Sequence, residues 1–248
     1  MNAIDRRRVI IYLAFAFGIA WAVALAVYLT GGLVDSPILI PALNVTLALV
    51  LVSLGVMWAP AIAHILTRVV TREGWANVGL RPNLRRGWPY WLAAWVLPGI
   101  LTIVGMVVFF VLYPSFFDPS LGAVMRLLPP GASIDPWVVV VAQLFQAMLI
   151  APLINGLFTF GEEFGWRAYL QPKLMPLGGR RATLLVGVIW GLWHAPIIAM
   201  GHNYSFGYPG APWSGILLTS EAIVEAIRRR PGRASCCSCG SPCCSPRC

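Results

Sequence analysis

Long apolar runs alternate with short polar segments along the chain. Five runs contain no Asp, Glu, Lys or Arg, and they cover residues 9–29, 39–66, 90–113, 137–160 and 182–200. A helix needs about 20 apolar residues to cross a hydrocarbon core roughly 30 Å thick, and these runs meet or approach that length. A sixth run begins at residue 213 and stops at 219, too early to cross. Because the runs are apolar on all faces, they predict an all-α fold, a polytopic transmembrane helical bundle with about five spans and an aborted sixth.

Composition supports this prediction. Hydrophobic residues make up 58% of the 248 residues and charged residues only 11%. Soluble domains carry about 25% charged residues, so the chain lies far outside that class. We therefore predict a multi-pass integral membrane protein whose surroundings are the lipid bilayer.

The first apolar run follows Arg6, Arg7 and Arg8, a pattern that also begins secretory signal peptides. The run is about twice as long as a typical apolar core of roughly 7–15 residues, however, and no convincing small-residue cleavage site follows it. This favours a retained helix over a cleaved signal peptide.

Basic residues fall on one predicted side of the bundle. The segments before the first run, between the second and third, and between the fourth and fifth hold twelve of them: Arg6, Arg7, Arg8, Arg68, Arg72, Arg81, Arg85, Arg86, Arg167, Lys173, Arg180 and Arg181. The alternate segments, 30–38 and 114–136, hold only Arg126. Under the positive-inside rule this predicts a cytoplasmic N-terminus, in the plasma membrane if the source is bacterial. Topology accounts for most of the net charge of +9, so no nucleic-acid partner is predicted.

The chain changes character after residue 219. All six cysteines lie between residues 236 and 248, among Arg, Ser, Pro and Gly. We predict a membrane-embedded domain over 1–219, incomplete at its C-terminal end, and a Cys/Arg/Ser/Pro-rich tail over 220–248. Three interpretations of the tail stay open: a metal-binding knuckle, a low-complexity disordered segment, or translation out of frame from near residue 219. The abrupt end of the sixth run favours the last.

Two adjacent acids stand at the end of the fourth run. Ionisable groups at membrane depth cost on the order of 3 kcal/mol, so they tend to be paired or functional. Glu163 and Arg167 are four residues apart and share a helix face, which predicts an ion pair. Glu162 is turned about 100° away and is left to serve as a general base. The alternative is an acidic pair that anchors a helix end at the interface.

A histidine lies inside the fifth run. His194 follows Trp190 by one helical turn, and Gly187 and Gly191 let another helix approach closely. An intramembrane histidine indicates function, although a structural histidine bonded to the backbone is the alternative. His64, near the end of the second run, is predicted to be an interfacial polar residue. No His-Glu-x-x-His, Gly-x-Ser-x-Gly or Gly-rich phosphate loop is present.

Together these motifs resemble a known family. Glu162-Glu163-x-x-x-Arg167, followed by an aromatic-x-x-x-His at Trp190–His194, resembles the CPBP intramembrane endopeptidases, which include the type II CAAX prenyl proteases and the Abi, or bacteriocin-processing, proteins. Met57-Trp-Ala-Pro60 is similar to that family's early helix, and the resemblance covers most of residues 10–219.

The resemblance implies a helical bundle with a cytoplasm-facing cavity in which peptide bonds are hydrolysed. Glu162 would activate the attacking water and His194 would position the water or the oxyanion, while Glu163, Arg167 and Trp190 would support the site. No cofactor is expected, although a metal at Glu162 and His194 stays an alternative. The expected substrate is a peptide or protein at the membrane.

One motif of the family has no counterpart. The third, a His or Asn followed four residues later by Asn or Asp, is missing, since His202 and Asn203 are adjacent. If the tail is native, the chain lacks part of the expected site and would be inactive. The leading hypothesis is an intramembrane protease homologue, and a non-catalytic membrane immunity or scaffold protein comes second. A proton-coupled transporter is disfavoured, because the first three spans offer no ionisable residue beyond His64.

Overall fold

The structure, a computed structural model, describes residues 3–76, 78, 80, 84–126, 128 and 134–219. The predicted tail, 220–248, lies outside the described residues, and its three interpretations stay predictions. About three quarters of the described residues are helical and very few are in strands, which confirms the all-α fold class. The α-helices are α1 (Ala3–Leu29), α2 (Leu47–Val50), α3 (Ala59–Val70), α4 (Leu84–Leu112), α5 (Gly122–Met125), α6 (Pro136–Phe145), α7 (Ala151–Gly165), α8 (Gln171–Leu174), α9 (Gly179–Trp193), α10 (Ala195–Ala199) and α11 (Trp213–Thr219).

Several helices join into longer stretches through wider π-helical turns. These turns cover Leu51–Val56, Gln146–Ile150 and Trp166–Leu170. Among the described residues, four helical stretches are long and apolar enough to cross a membrane: Arg6–Leu29, Leu47–Val70, Leu84–Leu112 and Pro136–Leu177. They correspond to the first four predicted runs and support an integral membrane protein.

The fifth predicted run, 182–200, is not one continuous helix. It is formed by α9, of 15 residues, and by α10, which follows directly after His194. Pro196 removes a backbone donor near the start of α10, so the helix is interrupted there. The aborted sixth run is the seven-residue α11.

The predicted start of the second span is wrong. Residues 38–46 form a small antiparallel hairpin of β1 (Ile38–Ile40) and β2 (Val45–Thr46). Pro41 begins the connecting turn and Asn44 adopts a left-handed backbone with φ of 49°, so the chain reverses although it is apolar. The helix starts only at Leu47, where the Thr46 side chain caps it by accepting from the Leu49 N–H at 3.1 Å.

The chain divides into two compact units, one ending at Lys173 and one beginning at Leu174. In the first unit α1 packs on α3, and α3 packs on α7. α1 buries residues spaced by three or four positions, so that they share one face: Tyr12, Ala16, Ala20, Ala24 and Val27. In the second unit α9 packs on α11.

Candidate active site

The structure separates the two adjacent acids of α7. Glu162 is buried, with 8% of its surface exposed, whereas Glu163 is exposed. The Glu163 Oε2 lies 3.6 Å from the Arg167 Nε, which confirms the pairing that their spacing predicts. Both side chains of that pair are about half exposed, so it contributes little, about 0–1 kcal/mol. The buried acid is the one that the sequence assigns to chemistry, although that role itself stays a prediction.

Two glycines flank the acids and bring α7 close to the start of α3. A Cβ added to Gly161 would lie 2.6 Å from the Met57 carbonyl oxygen, and one added to Gly165 would lie 2.6 Å from that of Pro60. Such distances leave no room for a side chain. The acid motif and the Met57-Trp-Ala-Pro60 motif are therefore packed directly against each other. In the sequence, the four-residue spacing of Gly161 and Gly165 is the pattern that indicates such a close approach of another helix.

The helix face that carries Glu162 continues into large buried rings. Trp166 and Tyr169, four and seven residues further on, are each 1% exposed. The Tyr12 ring of α1 lies edge-on to Trp166 with centroids 5.7 Å apart, and 5.1 Å from the Tyr169 ring. Glu162 thus stands at the edge of an aromatic cluster that shields this part of the bundle from solvent.

His64 is fully buried in the first unit, and its interfacial position in the membrane stays a prediction. Its Nδ1–H donates to the Phe164 carbonyl oxygen at 2.9 Å, and its Nε2 accepts from the Arg68 Nε at 2.6 Å. A ring that donates through one nitrogen and accepts through the other is neutral, with a fixed tautomer. His64 therefore ties α3 to the backbone of α7 two residues after Glu162.

Glu73, which the sequence interpretation missed, joins this network. Its carboxylate accepts from the Lys173 Nζ at 2.7 Å and from the Tyr169 hydroxyl at 3.0 Å, and Arg8 Nε lies 3.6 Å away. Burial opposes its charge, but the bonds from Lys173 and Tyr169 outweigh burial and lower the pKa of Glu73 below its usual value. The signal in the sequence was a single acid in the segment between the second and third spans, which is otherwise basic.

Arg68 links the two parts of the network. It donates to His64 and to the Gly74 carbonyl oxygen, and its guanidinium lies 5.6 Å from the centroid of the Tyr169 ring. His64, Arg68 and Glu73 are therefore engaged in holding α3 and the segment after it against the helical stretch that carries Glu162.

His194 belongs to the second unit, at the junction of α9 and α10. Its Nδ1–H donates to the Trp190 carbonyl oxygen at 2.9 Å, so in the neutral ring Nε2 is an acceptor. The Trp190 and Trp193 rings stand edge-on to the imidazole, with centroids 4.9 Å and 4.6 Å away. His194 is 8% exposed. That it shares a pocket with Glu162, which belongs to the first unit, stays a prediction.

A groove of about 580 Å³ lies beside α7 in the first unit. Its lining is mostly apolar, with polar groups from Ser53, Asn155 and Thr159. Asn155, Thr159 and Glu162 are spaced by four and three residues, so they lie on one face of α7. The groove is therefore lined by residues of the same helical face as the buried acid.

Among the residues that the structure describes, no three His, Cys, Asp or Glu side chains gather into a group that would hold a metal ion. The cysteines lie outside that part of the chain. The absence of a cofactor, and the alternative of a metal at Glu162 and His194, both stay predictions.

Residues 136–228 match the profile of the family described as type II CAAX prenyl endopeptidase Rce1-like. The resemblance to CAAX prenyl proteases is confirmed. CAAX prenyl protease 2 of Methanococcus maripaludis is 37% identical over 46 residues, which are 18% of this chain and 17% of that protein. No solved structure matches. All five predicted site residues lie inside the matched segment, which runs beyond residue 219, where the predicted membrane domain ends.

Proposed function

We propose that the chain is an intramembrane endopeptidase of the CAAX type, in which Glu162 activates a water that attacks a peptide bond. The observation that supports this most is the contrast between neighbouring acids inside the Rce1-like segment. Glu163 pairs with Arg167 and is exposed, whereas Glu162 is held buried by Gly161 and Gly165. A shielded carboxylate is suited to accept a proton from water.

In the proposed reaction Glu162 takes a proton as the water oxygen attacks the scissile carbonyl carbon. The tetrahedral intermediate then collapses, the C–N bond breaks, and the proton passes to the leaving amine. The tautomer of His194 suits one of its two expected roles. With Nδ1–H committed to Trp190, Nε2 accepts a hydrogen bond, so His194 holds the water rather than donating to the oxyanion.

The proposed substrate is a peptide or protein at the membrane, and a prenylated CAAX peptide is the first to test. The mainly apolar groove beside α7 supports a lipid-modified substrate, because an isoprenoid chain is apolar and the groove lies along the face of α7 that carries Glu162. We also propose that the N-terminus is cytoplasmic, on the basis of the basic loops, and that a bacterial chain of this kind lies in the plasma membrane.

A non-catalytic membrane immunity or scaffold protein is the second candidate. The observation that favours it is the missing third motif, since Phe206, and not Asn or Asp, follows His202 by four residues. Under this candidate the buried carboxylate is structural.

The purified protein in lipid vesicles, offered a fluorogenic farnesylated CAAX peptide and its unprenylated form, distinguishes the two. We expect cleavage of the farnesylated peptide, and a loss of at least about 100-fold in kcat for Glu162→Gln. Asp118→Asn makes the same carboxylate-to-amide change at an exposed position outside the spans and is the matched control. If the wild-type protein cleaves neither peptide, or Glu162→Gln cleaves as fast as Asp118→Asn, the endopeptidase proposal fails.

A further inference from the structure

The hydroxyl of Tyr12 is a buried polar group without a hydrogen-bond partner among the described residues. The Tyr12 side chain is fully buried in α1. Buried side-chain hydroxyls are nearly always hydrogen-bonded to protein or to an ordered water, so an orphaned one needs an explanation. A polar group that a catalytic site uses during its reaction is one such explanation.

The surroundings of Tyr12 point towards Glu162. The Tyr12 ring packs on Trp166, which follows Glu162 by one helical turn, and all three side chains are buried. The neighbouring phenol is used differently, because the Tyr169 hydroxyl donates to Glu73. Two similar rings in contact therefore differ: the Tyr169 hydroxyl is bonded to Glu73, whereas the Tyr12 hydroxyl has no hydrogen-bond partner among the described residues.

We propose that Tyr12 is a positioning residue for the hydrolytic water, a role that rests on the proposed function of Glu162. Its O–H donates to the oxygen of a water that in turn donates to the Glu162 carboxylate. The phenol keeps its proton throughout, and Glu162 takes the proton that the water loses. A lone pair of the water oxygen is thereby aimed away from both groups, towards the substrate carbonyl.

Tyr12→Phe removes the hydroxyl and keeps the ring, and Tyr169→Phe is the matched control on the ring 5.1 Å away. We measure kcat and KM for the fluorogenic farnesylated CAAX peptide, together with the melting temperature in the same detergent. A hydrogen bond to a charged or reacting group gives about a tenfold to hundredfold effect, so we expect kcat of Tyr12→Phe to fall by that factor with KM and melting temperature unchanged. Tyr169→Phe should melt at a lower temperature and keep its kcat.

Three results would overturn the role of Tyr12. They are a kcat for Tyr12→Phe equal to wild type, an effect on KM alone, or a fall in melting temperature as large as that of Tyr169→Phe. The variant Glu162→Gln separates this inference from the proposed function. If Glu162→Gln is inactive while Tyr12→Phe is as fast as wild type, only the inference fails. If wild type itself does not cleave, both fail.

Discussion

Gly165 of α7 lies so close to Pro60 of α3 that a Cβ on the glycine would come within 2.6 Å of the Pro60 carbonyl oxygen. Gly165 lies within the Glu162–Arg167 motif and Pro60 within the Met57–Pro60 motif. Their contact fixes how closely α7, which carries the two acids, approaches α3. Glu162 is therefore buried because α7 and α3 pack closely, although its side chain is polar.

Gly165→Ala should destabilise the protein. The added methyl meets rigid backbone, and overpacking of this kind costs about 1–3 kcal/mol. Gly156→Ala is the matched control in the same helix, because nothing lies within 4 Å of its Cβ position. Glycine in a helix interior is less stable than alanine by up to about 1 kcal/mol, so Gly156→Ala should be as stable as wild type or more stable by that amount. Denaturant unfolding in detergent measures both, and equal stability of the two variants would contradict the packing described.

Glu73→Gln should lower stability by about 1–3 kcal/mol at neutral pH, because Lys173 and Arg8 then lose a partly buried, charged partner. The pKa of Glu73 is lowered by folding, so its contribution is full above the ordinary value of 4.5 and is lost as the pH falls through the folded pKa.

The difference between wild type and Glu73→Gln should therefore shrink when unfolding is followed from pH 7 to below pH 4.5. Glu163→Gln, at the exposed pair, should show little difference at any pH. If the difference in unfolding free energy between wild type and Glu73→Gln stays constant or grows on acidification, Glu73 is not charged in the network.

His64 and Arg68 should be energetically coupled. Their bond is buried, and residues in one hydrogen-bond network show coupling of about 0.5–3 kcal/mol in double-mutant cycles. We expect the unfolding free energies of His64→Ala, Arg68→Ala and the double variant to be non-additive by this amount. The same cycle with Arg68→Ala and the exposed Glu163→Ala should be additive. Additivity in the first cycle would show that the His64 bond contributes nothing.

Features that depend on residues close together in the chain could be predicted from the sequence. Apolar runs predicted the first four spans, and a spacing of four residues predicted the pair of Glu163 with Arg167. The hairpin at 38–46 was missed because its residues are as apolar as a helix, and only Pro41 and Asn44 mark the turn.

The features that the sequence did not reveal depend on distant partners. His64 bonds to a carbonyl 100 residues away, and Glu73 meets Lys173 across the same separation. A pattern of apolar residues cannot show which buried polar groups form hydrogen bonds with each other. The burial of His64 and the network of Glu73 therefore emerged only with the fold.

The proposed function requires Glu162 and His194 to act on a single water, and a kinetic double-mutant cycle tests this proposal most directly. The rate of cleavage of the farnesylated peptide is measured for Glu162→Gln, His194→Ala and the double variant. Residues that act as a unit give grossly non-additive losses, so we expect the double variant to be no slower than the slower single variant. Losses that multiply, or a wild-type protein that cleaves nothing, would contradict the proposed function.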